Sequence, residues 1–98
     1  MRLHSEYYGR GPTKAKSYLQ DDVLCAVLSD IYTTVEKTLI DVGRGEHVRD
    51  TRHVFQLAME KKFCQAVEEI TGRRVRAFLS QTHIDPDVAV EIFLLEPE

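Results

Sequence analysis

The sequence predicts an α+β fold, a four-stranded and mostly antiparallel sheet with one long helix and one short helix packed on it. Three observations predict it. Apolar residues recur at gaps of three, four and seven across Glu46–Thr71. On either side of that stretch they alternate with a period of two, and turn residues mark each change of period. The expected order is helical remnant, β-hairpin, short helix, long helix, β-hairpin.

In Met1–Tyr8, Leu3, Tyr7 and Tyr8 have the spacing of a helix's last two turns, ended by Gly9. So short a helix is not stable alone, so this segment must dock on the body or be the remnant of a longer element. Gly9-Arg10-Gly11-Pro12 breaks the period, because Pro12 lacks an N–H and biases Gly11 towards extended geometry. From Lys14, the residues Lys16, Tyr18 and Gln20 alternate with Ala15, Ser17 and Leu19. Asp21-Asp22 then turns the chain into Val23–Leu28, which completes a hairpin. The second strand is apolar on both faces, which predicts a central position. Something besides the long helix is therefore expected to cover the other face: the N-terminal segment, a partner subunit, or both.

Thr33 followed by Glu36 is a capping-box pattern and opens a short helix over Thr34–Val42. Gly43 is placed to end it in a left-handed cap, which makes Gly43-Arg44-Gly45 a joint between helices. The long helix aligns Val48, Phe55, Met59, Phe63, Ala66, Val67 and Ile70 in one apolar stripe. Val54, Leu57 and Cys64 lie away from that stripe and form a candidate oligomer contact, with a homodimer the favoured assembly. Beyond Gly72, Val75, Ala77 and Leu79 are expected on one face of a strand, and Arg76, Phe78 and Ser80 on the other. Asp85-Pro86-Asp87 supplies a turn, and Val88–Leu95 is the most β-prone segment of the chain.

At 98 residues the chain has the length of one domain, able to bury roughly 60–70% of its unfolded surface. No apolar run approaches the roughly 20 residues of a membrane-spanning helix, so direct membrane insertion is not expected. The Met1 end lacks the apolar core of a secretory signal, and a cytoplasmic location is expected. A net charge of −3 argues against a nucleic-acid partner, which needs a basic surface. Cys25 and Cys64 match neither a metal-ligand spacing nor a disulfide framework.

The strongest local candidate for a ligand is an anion. Gly9-Arg10-Gly11 and Gly43-Arg44-Gly45 offer exposed backbone N–H groups, and Arg49 and Arg52 lie in the first two turns of the long helix. Arginine adds planar, bidentate recognition of phosphate or carboxylate. The plainer alternative is that the glycines reverse the chain and the arginines pair with Asp21, Asp22, Asp41 or Asp50. His47 and His53 are six apart, which puts them on different sides of a helix, so no metal is assigned. Cys25 lies in an apolar run and Cys64 sits among glutamates, settings that do not activate a thiol. No catalytic residue and no cofactor follows from the residue pattern, and a non-enzymatic role is expected.

Taken together, Gly9-Arg10-Gly11-Pro12, the strand pair broken by Asp21-Asp22, Thr33-x-x-Glu36-Lys37 and Glu69-Ile70-Thr71-Gly72 ahead of an alternating run resemble the bacterial MpsC family. That family is labelled after a component of a sodium-translocating membrane-potential-generating system, and the resemblance covers essentially the whole chain. It implies a small soluble protein, found in bacteria including cyanobacteria and associated with ion or bicarbonate transport, with no established chemistry to carry over. It also implies a cytoplasmic accessory or regulatory role, peripheral to the inner membrane through a transporter subunit. Family members usually carry a longer helix before the GRGP loop, whereas eight residues precede it here, so part of an N-terminal helix is expected to be missing.

Overall fold

A computed structural model describes residues 14–98. It contains β1 (Lys14–Gln20), β2 (Val23–Ser29), α1 (Thr34–Asp41), α2 (Gly45–Thr71), β3 (Val75–His83) and β4 (Val88–Leu95). The four strands form one antiparallel sheet in the order β1-β2-β4-β3, so the last strand of the chain inserts between two earlier ones. β2 thus holds the central position expected, with a hydrogen-bonded neighbour on each side, while Val23, Cys25 and Val27 lie on the sheet face opposite Leu24 and Leu28.

Local chemistry sets the element ends. Asp21 adopts φ +53° in the two-residue turn between β1 and β2, a left-handed conformation that aspartate tolerates. Thr33 and Glu36 form the reciprocal capping box of α1, with the Thr33 hydroxyl accepting from Glu36 N at 3.2 Å and Glu36 Oε1 accepting from Thr33 N at 2.9 Å. Gly43 at φ +84° and Gly72 at φ +70° occupy the left-handed positions that follow α1 and α2. The short helix stops one residue before Val42, and the long one begins at Gly45 rather than Glu46.

One face of the sheet carries the core. Leu28, Ile31, Tyr32, Val48 and Ala89 cluster beneath the start of α2, and Phe63, Val67, Phe93 and Leu95 beneath its second half. Phe78 bridges the second cluster, 4.9 Å from the Phe93 ring and edge-on to Phe63 at 6.1 Å between centroids. The expected stripe of α2 is modified. Arg52 and Gln56, each four residues from the last, continue inward from Val48 and are buried, whereas Ile70 is 84% exposed.

The expected alternation of β3 is corrected. Its pairing with β4 shifts between Val75 and Ala77, a bulge at Arg76 that gives β3 one extra residue. Val75 therefore joins Phe78 in the core beneath α2, while Ala77 and Leu79 face the other way.

The opposite face has no helix on it among the described residues. Its two middle rows run Tyr18-Cys25-Ile92-Leu79 and Lys16-Val27-Val90-Gln81 across the four strands. In β4 the helix-covered residues are Ala89, Glu91, Phe93 and Leu95, so the continuous apolar set Val88, Val90, Ile92 and Leu94 lies on the uncovered side.

Candidate functional site

Two polar assemblies interrupt the apolar layer between α2 and the sheet. The first joins the start of α1 to α2. Arg52 donates from Nε to Glu36 Oε2 at 2.7 Å, and from Nη2 to Glu36 Oε1 at 2.6 Å and to the Ile31 carbonyl at 2.9 Å. Its guanidinium also stacks 5.2 Å from the Tyr32 ring centre, and Tyr32 donates its hydroxyl to the His83 carbonyl. Asp87 completes the assembly from the β3–β4 hairpin, accepting from Ile31 N at 2.8 Å. Burial pushes the Glu36 carboxyl up, but hydrogen bonds from Arg52 and Thr33 outweigh it and hold the group below its ordinary range. Burial dominates for Tyr32 and pushes its phenol up. The assembly ties together the end of β2, both helices and the hairpin, which is a structural role.

The second assembly lies at the middle of the covered face. Glu91 is 3% exposed and is flanked in register by Ala26 on β2 and Ser80 on β3. The Ser80 hydroxyl is buried and has no hydrogen-bond partner. Ser80 lines a cavity of about 220 Å³ together with Gln56, His53, Leu57, Glu60 and Phe78. Removal from water pushes the Glu91 carboxyl up to about 6. Its neighbours in the row, Ala26 and Ser80, carry no charge. The cavity, which Glu91 does not line, presents the Ser80 hydroxyl, the Gln56 amide, His53 and Glu60 to a small polar guest.

The sequence-predicted positions fall in different places. Gly9, Arg10 and Gly11 lie outside the described residues. Arg44 and Arg49 are exposed at the start of α2, while Arg52 is buried and turns inward onto Glu36. Gly43 supplies the positive φ of the joint. At Gly45 an added Cβ would come within 2.9 Å of Ile84 Cδ1, the tip of a side chain on the β3–β4 hairpin that would have to turn aside. Val54 and Leu57 are exposed on α2, whereas Cys64 packs against the Phe63 cluster. Burial, then Glu60 and Glu68, push the Cys64 thiol up. His83 Nδ1 lies 3.0 Å from the Pro86 carbonyl and braces the hairpin turn. Among the described residues no three His, Cys, Asp or Glu side chains gather as a metal site.

Sequence reasoning missed Glu91, Ser80 and Gln56 as a group. A signal was present: Glu91 is the one charged position within Val88–Leu95, and Gln56 continues the four-residue spacing of Val48 and Arg52.

The family model described as Na+-translocating membrane potential-generating system (MpsC) matches residues 1–97. No curated protein and no solved structure gives a match. No helix among the described residues is long and apolar enough to cross a membrane.

Proposed function

Because the chain belongs to the MpsC family, we propose that it is a non-enzymatic accessory or regulatory component of a membrane ion-transport system, with sodium or bicarbonate the transported species. The observation that carries this reading is the family match over residues 1–97. The surface chemistry is consistent with work done through contacts. An apolar sheet face and the exposed Val54 and Leu57 on α2 offer surface to other proteins. A cytoplasmic location, peripheral to the membrane through a partner, follows from the same reading.

Deletion of the gene tests the role. With a potential-sensitive dye in intact cells, the sodium-dependent part of the membrane potential is expected to fall and to return on complementation. An unchanged sodium response, together with unchanged bicarbonate uptake, sinks the proposal.

A further inference from the structure

We infer that the uncovered face of the sheet docks a second copy of this chain through a two-fold axis parallel to the strands. This goes beyond the transport-system reading and is independent of it. Three features of the face select this occupant.

The first is size. Four strands about 4.8 Å apart, each about seven residues long at about 3.3 Å per residue, make a footprint of about 440 Å² before side-chain relief. That flat footprint is a little over half the roughly 800 Å² per partner of a standard stable interface, to which the protruding Tyr18 and Leu79 add side-chain area.

The second is self-complementarity. The proposed axis passes between β2 and β4 and lays β1 of one copy over β3 of the other, keeping each row at its own level. Tyr18 and Leu79 are the protruding residues of one row, at 56% and 53% exposure on opposite edges. Each edge also carries a shallow, mostly apolar hollow, one lined by Tyr18, Val23 and Cys25 with Gln20 and Asp21 at its rim, and the other by Leu79, Val90 and Ile92 with Ser80 and Gln81. The axis seats Leu79 of each copy over the first hollow of its partner, and Tyr18 over the second. Cys25 then lies over Ile92, and Val27 over Val90.

The third is charge. Lys14 and Lys16 stand on the β1 edge of this face, and no carboxylate stands in its four rows. The same axis places these lysines over His83 and Gln81 of the partner rather than over each other. Like charges are thus kept apart, and the two central strands present no charge on this face, whereas a face built for an acidic or basic partner would carry charge on them.

Sedimentation equilibrium of the full chain at about 50 µM is expected to give twice the 11.3 kDa chain mass. Tyr18→Glu and Leu79→Glu, at exposed edge positions, should each convert it to monomer with an unchanged far-UV circular dichroism spectrum. Leu57→Glu on α2 should leave the dimer intact. A second measurement covers the case in which the glutamate variants misfold. Packed sheets about 10 Å apart, offset by one strand, put the two Cys25 Cα atoms about 11 Å apart, too far for a disulfide but within reach of a short bismaleimide. Cys64→Ser should therefore cross-link through Cys25, and Cys25→Ser should not cross-link through Cys64. A wild-type monomer, a dimer that survives both glutamate substitutions, or the reverse cross-linking pattern overturns the inference. A monomer with Cys25 shielded from the reagent also overturns it, in favour of coverage by the chain's own first thirteen residues. None of these results touches the transport-system reading, which is scored by membrane potential.

Discussion

Replacing Glu91 with glutamine removes a carboxyl that the fold holds in an unfavourable place, and the size of the effect follows from the burial. The group rises from an ordinary 4.5 to about 6 in the folded protein. At about 1.36 kcal/mol for each pH unit, that rise corresponds to about 2 kcal/mol. The sign follows from proton uptake. Between pH 4.5 and about 6 the folded state holds this proton more tightly than the unfolded chain, so the contribution is most favourable below 4.5 and is lost as pH rises to about 6. Glu36 acts in the opposite direction, since its lowered carboxyl stabilises the fold above its unfolded value and loses that contribution as pH falls. Wild-type stability alone therefore mixes the two. The difference between Glu91→Gln and wild type cancels the Glu36 contribution and isolates Glu91. Urea denaturation is expected to show the two proteins within about 0.5 kcal/mol at pH 4, where both side chains are neutral, and Glu91→Gln ahead by about 2 kcal/mol at pH 7.5. For a domain of this size that gain is a rise in Tm of about 8–16 °C. A difference that stays flat from pH 4 to 7.5 refutes the reasoning, because a desolvated carboxylate then carries no cost at this position.

Other perturbations probe the neighbouring structure. Arg52→Ala strands the largely buried Glu36 carboxylate and leaves the Ile31 carbonyl without this donor, and is expected to cost about 3–5 kcal/mol in chemical denaturation. A loss below about 1 kcal/mol would show the assembly to be replaceable by water. Thr33→Ala removes one half of the α1 capping box and should cost about 1 kcal/mol, with the same assay reporting no change if Glu36 alone holds the helix start. Cys64, with its thiol pushed up by burial and two glutamates, should react with a disulfide reagent more slowly at pH 8 than a free thiol does. Equal rates in a Cys25→Ser variant would contradict that environment.

Much of the architecture was legible in the sequence because the signals are local. The capping box of Thr33 and Glu36 lies within four residues, the left-handed positions after both helices are glycines, and each hairpin carries its own acidic turn. Period alone separates α2 from the strands, and the match of residues 1–97 agrees with the family that the combined motifs resemble. What stayed hidden depends on distant partners. Alternation in β4 says that two faces exist but not which one meets a helix. That choice is made by the fit of Phe93 and Leu95 against Phe63 and Val67 of α2, and by Phe78 from β3. It puts the more continuous apolar set outward and carries Glu91 inward. The bulge at Arg76 reverses the reading of Val75, and only pairing with β4 reveals it. Arg52 looks from its spacing like a helix-start arginine free for a ligand, yet Glu36, sixteen residues earlier, draws it into the core. The sequence by itself determined the elements and their order, because periods, caps and turns act within a few residues. Only the tertiary structure decided the strand order, the direction each face points and the burial of Glu91, because packing and desolvation depend on residues far apart in the chain.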